Sequence, residues 1–129
     1  MTGNMMRRVV VSGVGVLSSI GIGKEEVTRS LRNMASGISA NATYQEMGMR
    51  SRVSGEIDID LAENINRKHY RFMADAAAFS YLAMQEAIED AGLEPEQIKD
   101  SAVGLITGSG GGSTGNVVEA ADILRDRGV

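Results

Sequence analysis

The sequence predicts an α/β fold, and three stretches carry that expectation. The first is the apolar, partly β-branched run Ala102-Val103-Gly104-Leu105-Ile106-Thr107, which has the length and composition of a buried strand. It feeds Gly108-Ser109-Gly110-Gly111-Gly112-Ser113, and residues 116–127 then carry a helical pattern. Strand, glycine loop and helix in that order is how open α/β sheets present a site at a strand's carboxyl end. The second stretch is residues 8–16, Arg-Val-Val-Val-Ser-Gly-Val-Gly-Val, which reads as the first buried strand. The third is residues 73–91, the longest helix. Its middle has almost no polar face, so it reads as buried, and its alanines allow another helix or a sheet to come close.

Composition narrows the class. A chain of 129 residues is one domain by length and large enough for a real core, and 43% hydrophobic with 23% charged residues is globular. Sequence without cysteine has no disulfide framework, no thiolate metal site and no thiol nucleophile. A net charge of −4 argues against general nucleic-acid binding. Neither a basic leader with an apolar stretch nor a run long enough to span a bilayer is present, so a soluble cytoplasmic protein is expected, with no membrane partner.

In chain order, residues 1–6 read as a frayed end. Gly13 and Gly15 invite a dinucleotide-loop reading, but the third glycine of that motif falls on Ser18 and the next helix starts only near Lys24. The alternative is a strand end where glycine permits close packing. Residues 24–34 form a helix, with Val27, Leu31 and Met34 on one face. Glu25 and Glu26 sit near its start and Arg29 and Arg32 toward its end, as the helix dipole favours. Ser36-Gly37 stops it. Residues 38–63 are irregular, with a loose alternation over 49–59 that could hold a short strand. Gly92 ends the long helix, and a short turn of helix starts at Pro95.

Residues 64–73, Asn-Ile-Asn-Arg-Lys-His-Tyr-Arg-Phe-Met, put three permanent cations and the only histidine within five positions of an acidic chain. If the stretch is helical, Arg67 and Arg71 share a face with Lys68 beside them. Cations held together repel, and a nearby anion relieves that cost. One reading is a docking patch for an acidic partner. The other is a solvated helix end paired with local carboxylates. His69 beside Tyr70 reads as structural, with no second ligand residue for a metal.

These strings resemble the amino-terminal part of the β-ketoacyl-acyl carrier protein synthases, the type I condensing enzymes of bacterial fatty-acid synthesis. The resemblance lies in residues 7–21, in Gly48-Met49-Arg50-Ser51, and in Asn66-Arg67-Lys68 through Arg71-Phe72-Met73. It continues in Asp90-Ala91-Gly92-Leu93 and in Val103-Gly104-Leu105-Ile106 followed by the Gly-Ser-Gly-Gly-Gly-Ser loop. It implies an incomplete amino-terminal part of a thiolase-like fold, a layered mixed sheet with helices, the second half being absent. It also implies a cysteine nucleophile that takes the acyl group, with two histidines assisting malonyl decarboxylation; a thiolate is a strong nucleophile and an enolate needs fixed donors. None of these can be assigned in this chain, so catalytic residues are expected beyond Val129 and the isolated segment is expected to be inert.

The resemblance assigns Arg67, Lys68 and Arg71 to the face that meets the acidic acyl carrier protein. It assigns Gly110, Gly111 and Gly112 to the loop near the acyl pocket, Gly111 above all. It implies acyl thioester substrates, no cofactor and no metal, and a homodimer at full length. A non-catalytic α/β module that binds an acidic carrier or a nucleotide is the alternative from another class, and a non-catalytic partner subunit of a synthase is a third. The ending Arg125-Asp126-Arg127-Gly128-Val129 reads as an interrupted helix exit, and surfaces meant for the other half are expected to be exposed.

Overall fold

A computed structural model describes residues 8–128, so the expected frayed start at 1–6 lies outside the described residues. Residues 8–16 run without strand pairing into a tight hairpin of β1 (Leu17–Ser18) and β2 (Gly21–Ile22). Helix α1 (Lys24–Arg32) follows, with its acidic first turn and basic last turn as the dipole favours. It ends before the expected Ser36-Gly37 stop, because Asn33 caps it and Met34 takes a left-handed φ of 52°.

The stretch read as irregular holds regular structure. Strand β3 (Ile38–Ala40) pairs antiparallel with β4 (Val53–Gly55), in the register Ile38 to Gly55 and Ala40 to Val53. Between them lies α2 (Ala42–Glu46). Asn41 joins these pieces. Its Oδ1 accepts from the Tyr44 amide at 2.9 Å, and its Nδ2 donates to Ser54 Oγ at 2.9 Å and to Glu56 Oε1 at 2.7 Å. One asparagine thus caps a helix and holds a hairpin. The loose alternation over 49–59 is expressed only at β4.

Asp60 caps α3 (Leu61–Asn64), accepting from the amides of Ala62 and Glu63 at 2.8 and 3.1 Å. Then come α4 (Arg67–Tyr70), α5 (Asp75–Asp90) and α6 (Pro95–Ile98). Pro95 occupies the first turn of α6, where its missing amide is not needed, and the Glu94 amide donates to Gln97 Oε1 at 2.8 Å. Ser113 caps α7 (Thr114–Arg127), which closes on Gly128 with φ 75°. No helix among the described residues is long and apolar enough to cross a membrane.

Three expectations are corrected. Residues 8–16 and 102–107 form no strands among the described residues, and both are largely open: Val9 is 93% exposed and Ile106 97%. The expected layered sheet is therefore represented by two small antiparallel ribbons. The physical reason is that a strand exists only through a neighbour's donors and acceptors, and neither run has a neighbouring strand here. The long helix is present but not enclosed: only Ala78 along it is buried, and the core is Leu61, Ile65 and Ala78, with Ile59, Tyr70, Met73 and Phe79 packed around it. The other apolar residues along it, such as Phe79, Leu82 and Ile88, are half-buried, and Met84 is exposed.

Residues 13–16 nevertheless have a defined seat, lying directly on the backbone of α5. A Cβ added to Gly13 would fall 2.7 Å from the Ala91 nitrogen, and one added to Gly15 would fall 2.7 Å from the Ala87 nitrogen, so only glycine fits. Val14 N–H donates to Asp90 Oδ2 at 3.0 Å and Val16 N–H to Glu86 Oε2 at 2.8 Å. These spacings match. Two residues of extended chain advance about 6.6 Å, and four residues of helix advance about 6 Å. Glu86 Oε1 also accepts from the first amide of α1, Lys24 N–H, at 2.6 Å, while Asp90 pairs with the Lys24 ammonium. Two carboxylates of α5 thus fix the first extended run and the start of α1 together.

Replacing Gly15 by valine forces a side chain into the α5 backbone. Overpacking of this kind lowers stability by about 1–3 kcal/mol, which thermal melting of the helical circular-dichroism signal will read against the parent. The carboxylate pairing gives a pH dependence. The Lys24 hydrogen bond, and secondly the Val14 amide, hold the Asp90 carboxyl below its ordinary 3.8, while Asp90 holds the Lys24 ammonium above its ordinary 10.5. Asp90 therefore stabilises the fold fully above 3.8, and this is lost as pH falls through its lower folded-state value. The contribution of Lys24 is complete below 10.5 and is lost as pH rises through its higher folded-state value. Acid titration of Asp90→Asn, followed by the same signal, should show a shallower loss of structure below 3.8 than the parent.

Candidate functional site

The candidate site is built around the amino-terminal half of α5. The segment before it is helical, as the cation spacing requires for a shared face: α4 carries Arg67 and Lys68, and Arg71 is its C-cap residue. Asn66 starts this turn, its Oδ1 accepting from the Lys68 amide at 2.9 Å. All three cations are exposed, and among the described residues none forms an ion pair with a carboxylate. The local pairing offered by the alternative reading of this cluster is therefore not what the geometry shows. The Arg71 guanidinium lies 4.4 Å from the centre of the Phe72 ring, a cation–π contact that limits where the charge can go.

Leu61 and Ile65 are buried under α5 beside Ala78, so α3 and the turn after it anchor the cationic segment against the long helix. Two residues past Arg71, Met73 begins the wall of a cleft of about 550 Å³. One side of the cleft is Met73 and the helix that follows it, α5, through Ala77, Tyr81 and Met84. The other is the expected glycine segment, through Leu105, Thr107 and Gly111. The lining is mostly apolar, with Ser80, Tyr81, Thr107, Ser109 and Ser113 as its hydroxyls, a composition suited to a hydrocarbon chain more than to a charged ligand.

Of the three loop glycines, Gly111 lines this cleft and Gly110 and Gly112 do not. A Cβ at any of them would meet nothing within 4 Å. Ser109 shapes the loop, its hydroxyl donating to the Gly111 carbonyl at 2.7 Å. The glycine loop leads into a helix as the sequence predicts, but no strand feeds it, and α7 begins at Thr114, before the expected residue 116, with Ser113 at its N-cap. Gly13 and Gly15 are used up by contact with α5, which leaves them no role around a nucleotide phosphate.

Two functional features escaped the sequence. The face of α5 along the cleft was indistinguishable from core, because alanine and methionine serve both purposes. Glu86 and Asp90 gave a fainter signal, carboxylates four apart on a helix otherwise rich in alanine. As to chemistry, the chain has no cysteine. Among the described residues, no group of three or more histidine, aspartate or glutamate side chains could hold a metal ion. His69 stands in the cationic turn with its ring stacked on Tyr81. The cleft therefore offers hydroxyls and apolar surface, and no thiol.

The chain is 50% identical over 120 residues to 3-oxoacyl-[acyl-carrier-protein] synthase 1 of Haemophilus influenzae, and 46% identical over 121 residues to the protein of the same name from Escherichia coli K12. Each alignment covers 93% of this chain and 30% of the relative. A more distant relative is the granaticin polyketide putative beta-ketoacyl synthase 1 of Streptomyces violaceoruber, 30% identical over 125 residues. The chain thus spans about 30% of the length of the curated relatives it matches. The family model for the beta-ketoacyl synthase N-terminal domain matches residues 6–128, nearly the whole chain, and the chain belongs to the beta-ketoacyl synthase family as that N-terminal domain.

Proposed function

We propose that this chain is the amino-terminal segment of a 3-oxoacyl-[acyl-carrier-protein] synthase, in which it docks the carrier and shelters the acyl chain while residues outside it do the chemistry. The observation that carries the proposal is the placement of an unpaired cationic turn directly before the helix that walls an apolar cleft. A carrier-borne thioester needs those two things from a scaffold: attraction for an acidic protein surface, and a dry place for an alkyl chain. The reaction is a decarboxylating condensation of an acyl group with malonyl-carrier protein. Its acyl-accepting thiol comes from outside this segment, which has no cysteine. A thiolase-like architecture, a homodimer at full length and a cytoplasmic location belong to the same proposal, all following from family membership.

Arg67, Lys68 and Arg71 supply the attraction. Exposed charges act mainly on encounter rate and orientation, and salt screens them over about 10 Å at 0.1 M. Gly111 supplies space: it lines the cleft, a Cβ there meets nothing within 4 Å, and its φ is not left-handed, so the backbone tolerates a side chain.

The test is a chimera in which this chain replaces the matched 121-residue segment of the Escherichia coli relative. The chimera should condense acyl and malonyl thioesters on the carrier, and a folded but inactive chimera rejects the proposal. Lys68→Glu with Arg71→Glu should weaken carrier binding about ten-fold at low salt, converging toward the parent at high salt. In the same chimera, Gly111→Met should shift the products to shorter acyl chains without lowering the melting temperature. An unchanged product profile removes Gly111 from the pocket.

A further inference from the structure

The helix wall of the cleft is uneven. Ala77, Ser80, Tyr81 and Met84 all line it, and their places three, four and seven residues apart put them on one face of α5. Tyr81 and Met84 are long side chains, as is Met73 just ahead of the helix, whereas Ala77 between them carries a single methyl. Ala77 is exposed, while its neighbour Ala78 is fully buried in the core. One of these alanines therefore packs the fold and the other faces the cleft. The loop wall contributes Gly108 and Gly111, where an added Cβ would meet nothing within 4 Å. Missing side chains thus widen the cleft from both sides.

The space so made is apolar in a specific sense. No charged side chain lines the cleft among the described residues. The Ser80 hydroxyl donates to the Ala76 carbonyl at 2.8 Å, and the Ser109 hydroxyl to the Gly111 carbonyl at 2.7 Å, so both protons are already committed to backbone. The Tyr81 hydroxyl accepts from Gln85 Nε2 at 3.2 Å. A hydrocarbon segment lying against Ala77 gains about four-fold in affinity for each methylene taken out of water. A segment bearing a charge would bury it unpaired, which is costly.

We infer that Ala77 sets the length of acyl chain the synthase accepts: its methyl leaves open the space taken by part of an unsubstituted hydrocarbon chain, and a larger side chain at this position closes that space. This rests on the proposed function and deepens it, adding a determinant on the helix wall to the one at Gly111.

The experiment uses the chimera and measures kcat/KM for carrier-borne acyl chains of increasing length. It compares the parent with Ala77→Ser, Ala77→Leu, Ala77→Met and Gly111→Met. Leucine and methionine are good helix formers and the position is exposed, so the melting temperature should stay with the parent's. In Ala77→Leu the ratio of long-chain to short-chain kcat/KM should fall about fifteen-fold, as two displaced methylenes predict. Ala77→Met should move the ratio the same way, and it carries the test if the leucine variant melts early. Ala77→Ser adds little volume and should keep a ratio close to the parent's. General damage to the fold lowers kcat/KM alike at every length, so it cannot imitate this result. An unchanged ratio in the two enlarged variants, or an equal fall in Ala77→Ser, overturns the inference. If Gly111→Met still shortens the products in that case, the cleft remains the acyl site and only Ala77 loses its role. If the chimera folds but condenses nothing, the proposed function fails and this inference fails with it.

Discussion

The contact on which the rest depends is backbone against backbone, the bare chain at Gly13 and Gly15 lying on α5 at Ala83, Ala87 and Ala91. A side chain on either surface would hold the two apart. Because they touch, the carboxylates of Glu86 and Asp90 reach donors that a strand normally presents to another strand. The coincidence of a two-residue advance in extended chain with a four-residue advance in helix makes the arrangement repeat once without strain. Lys24 then closes the unit, its amide on Glu86 and its ammonium on Asp90. Helix α1 starts where it does because α5 supplies acceptors for its first amide, which has none within the helix.

Helix α5 consequently has two jobs at its two ends. Toward the carboxyl end it is acidic and holds the first extended run. Toward the amino end it is largely apolar and presents Ala76, Ala77 and Tyr81 to the cleft. The cations lie just before it, so the acidic anchor and the basic face are separated by most of a 16-residue helix, roughly 24 Å. That is more than two Debye lengths at 0.1 M salt, so neither end neutralises the other. An acidic chain can in this way keep a face that attracts an acidic partner.

The longer helices were legible while α2 and α3 were not, and the two strong strand patterns failed, for one reason. Helical signals are local: Pro95 at the start of α6, Ser113 before α7, and the charge order along α1 all act within a turn of where they stand in the sequence. A strand's existence is decided by what lies beside it. Residues 8–16 and 102–107 have strand composition, yet their pairing groups find no strand among the described residues. The ribbon of β3 and β4 shows the converse. Its sequence pattern is weak, but the two segments are close in the chain and meet through Asn41 and Ser54. In the site, the spacing of Arg67 and Arg71 was readable because it needs only one helical turn. The role of α5 as cleft wall was not, because an alanine facing a neighbour and an alanine facing a void are written alike.

The pattern of burial gives the last step. Leu105 lines the cleft beside α5, while its neighbour Ile106 points elsewhere and is 97% exposed. Adjacent residues of an extended chain face opposite ways, so this run is apolar on both sides. Sequence of that kind belongs to a strand covered on both faces, with partners along its edges. Among the described residues only one face of this run has a neighbour, and Val9, Val10 and Val11 ahead of the seat on α5 are all exposed. Completing the pairing of these two runs and covering Ile106 would complete the floor of the cleft as well, since Leu105 and Gly111 belong to one continuous segment. Under the proposed function, cover for this hydrophobic surface and the acyl-accepting thiol both lie outside this segment, so the apolar cleft and the chemistry it serves are shared between this segment and the rest of a synthase.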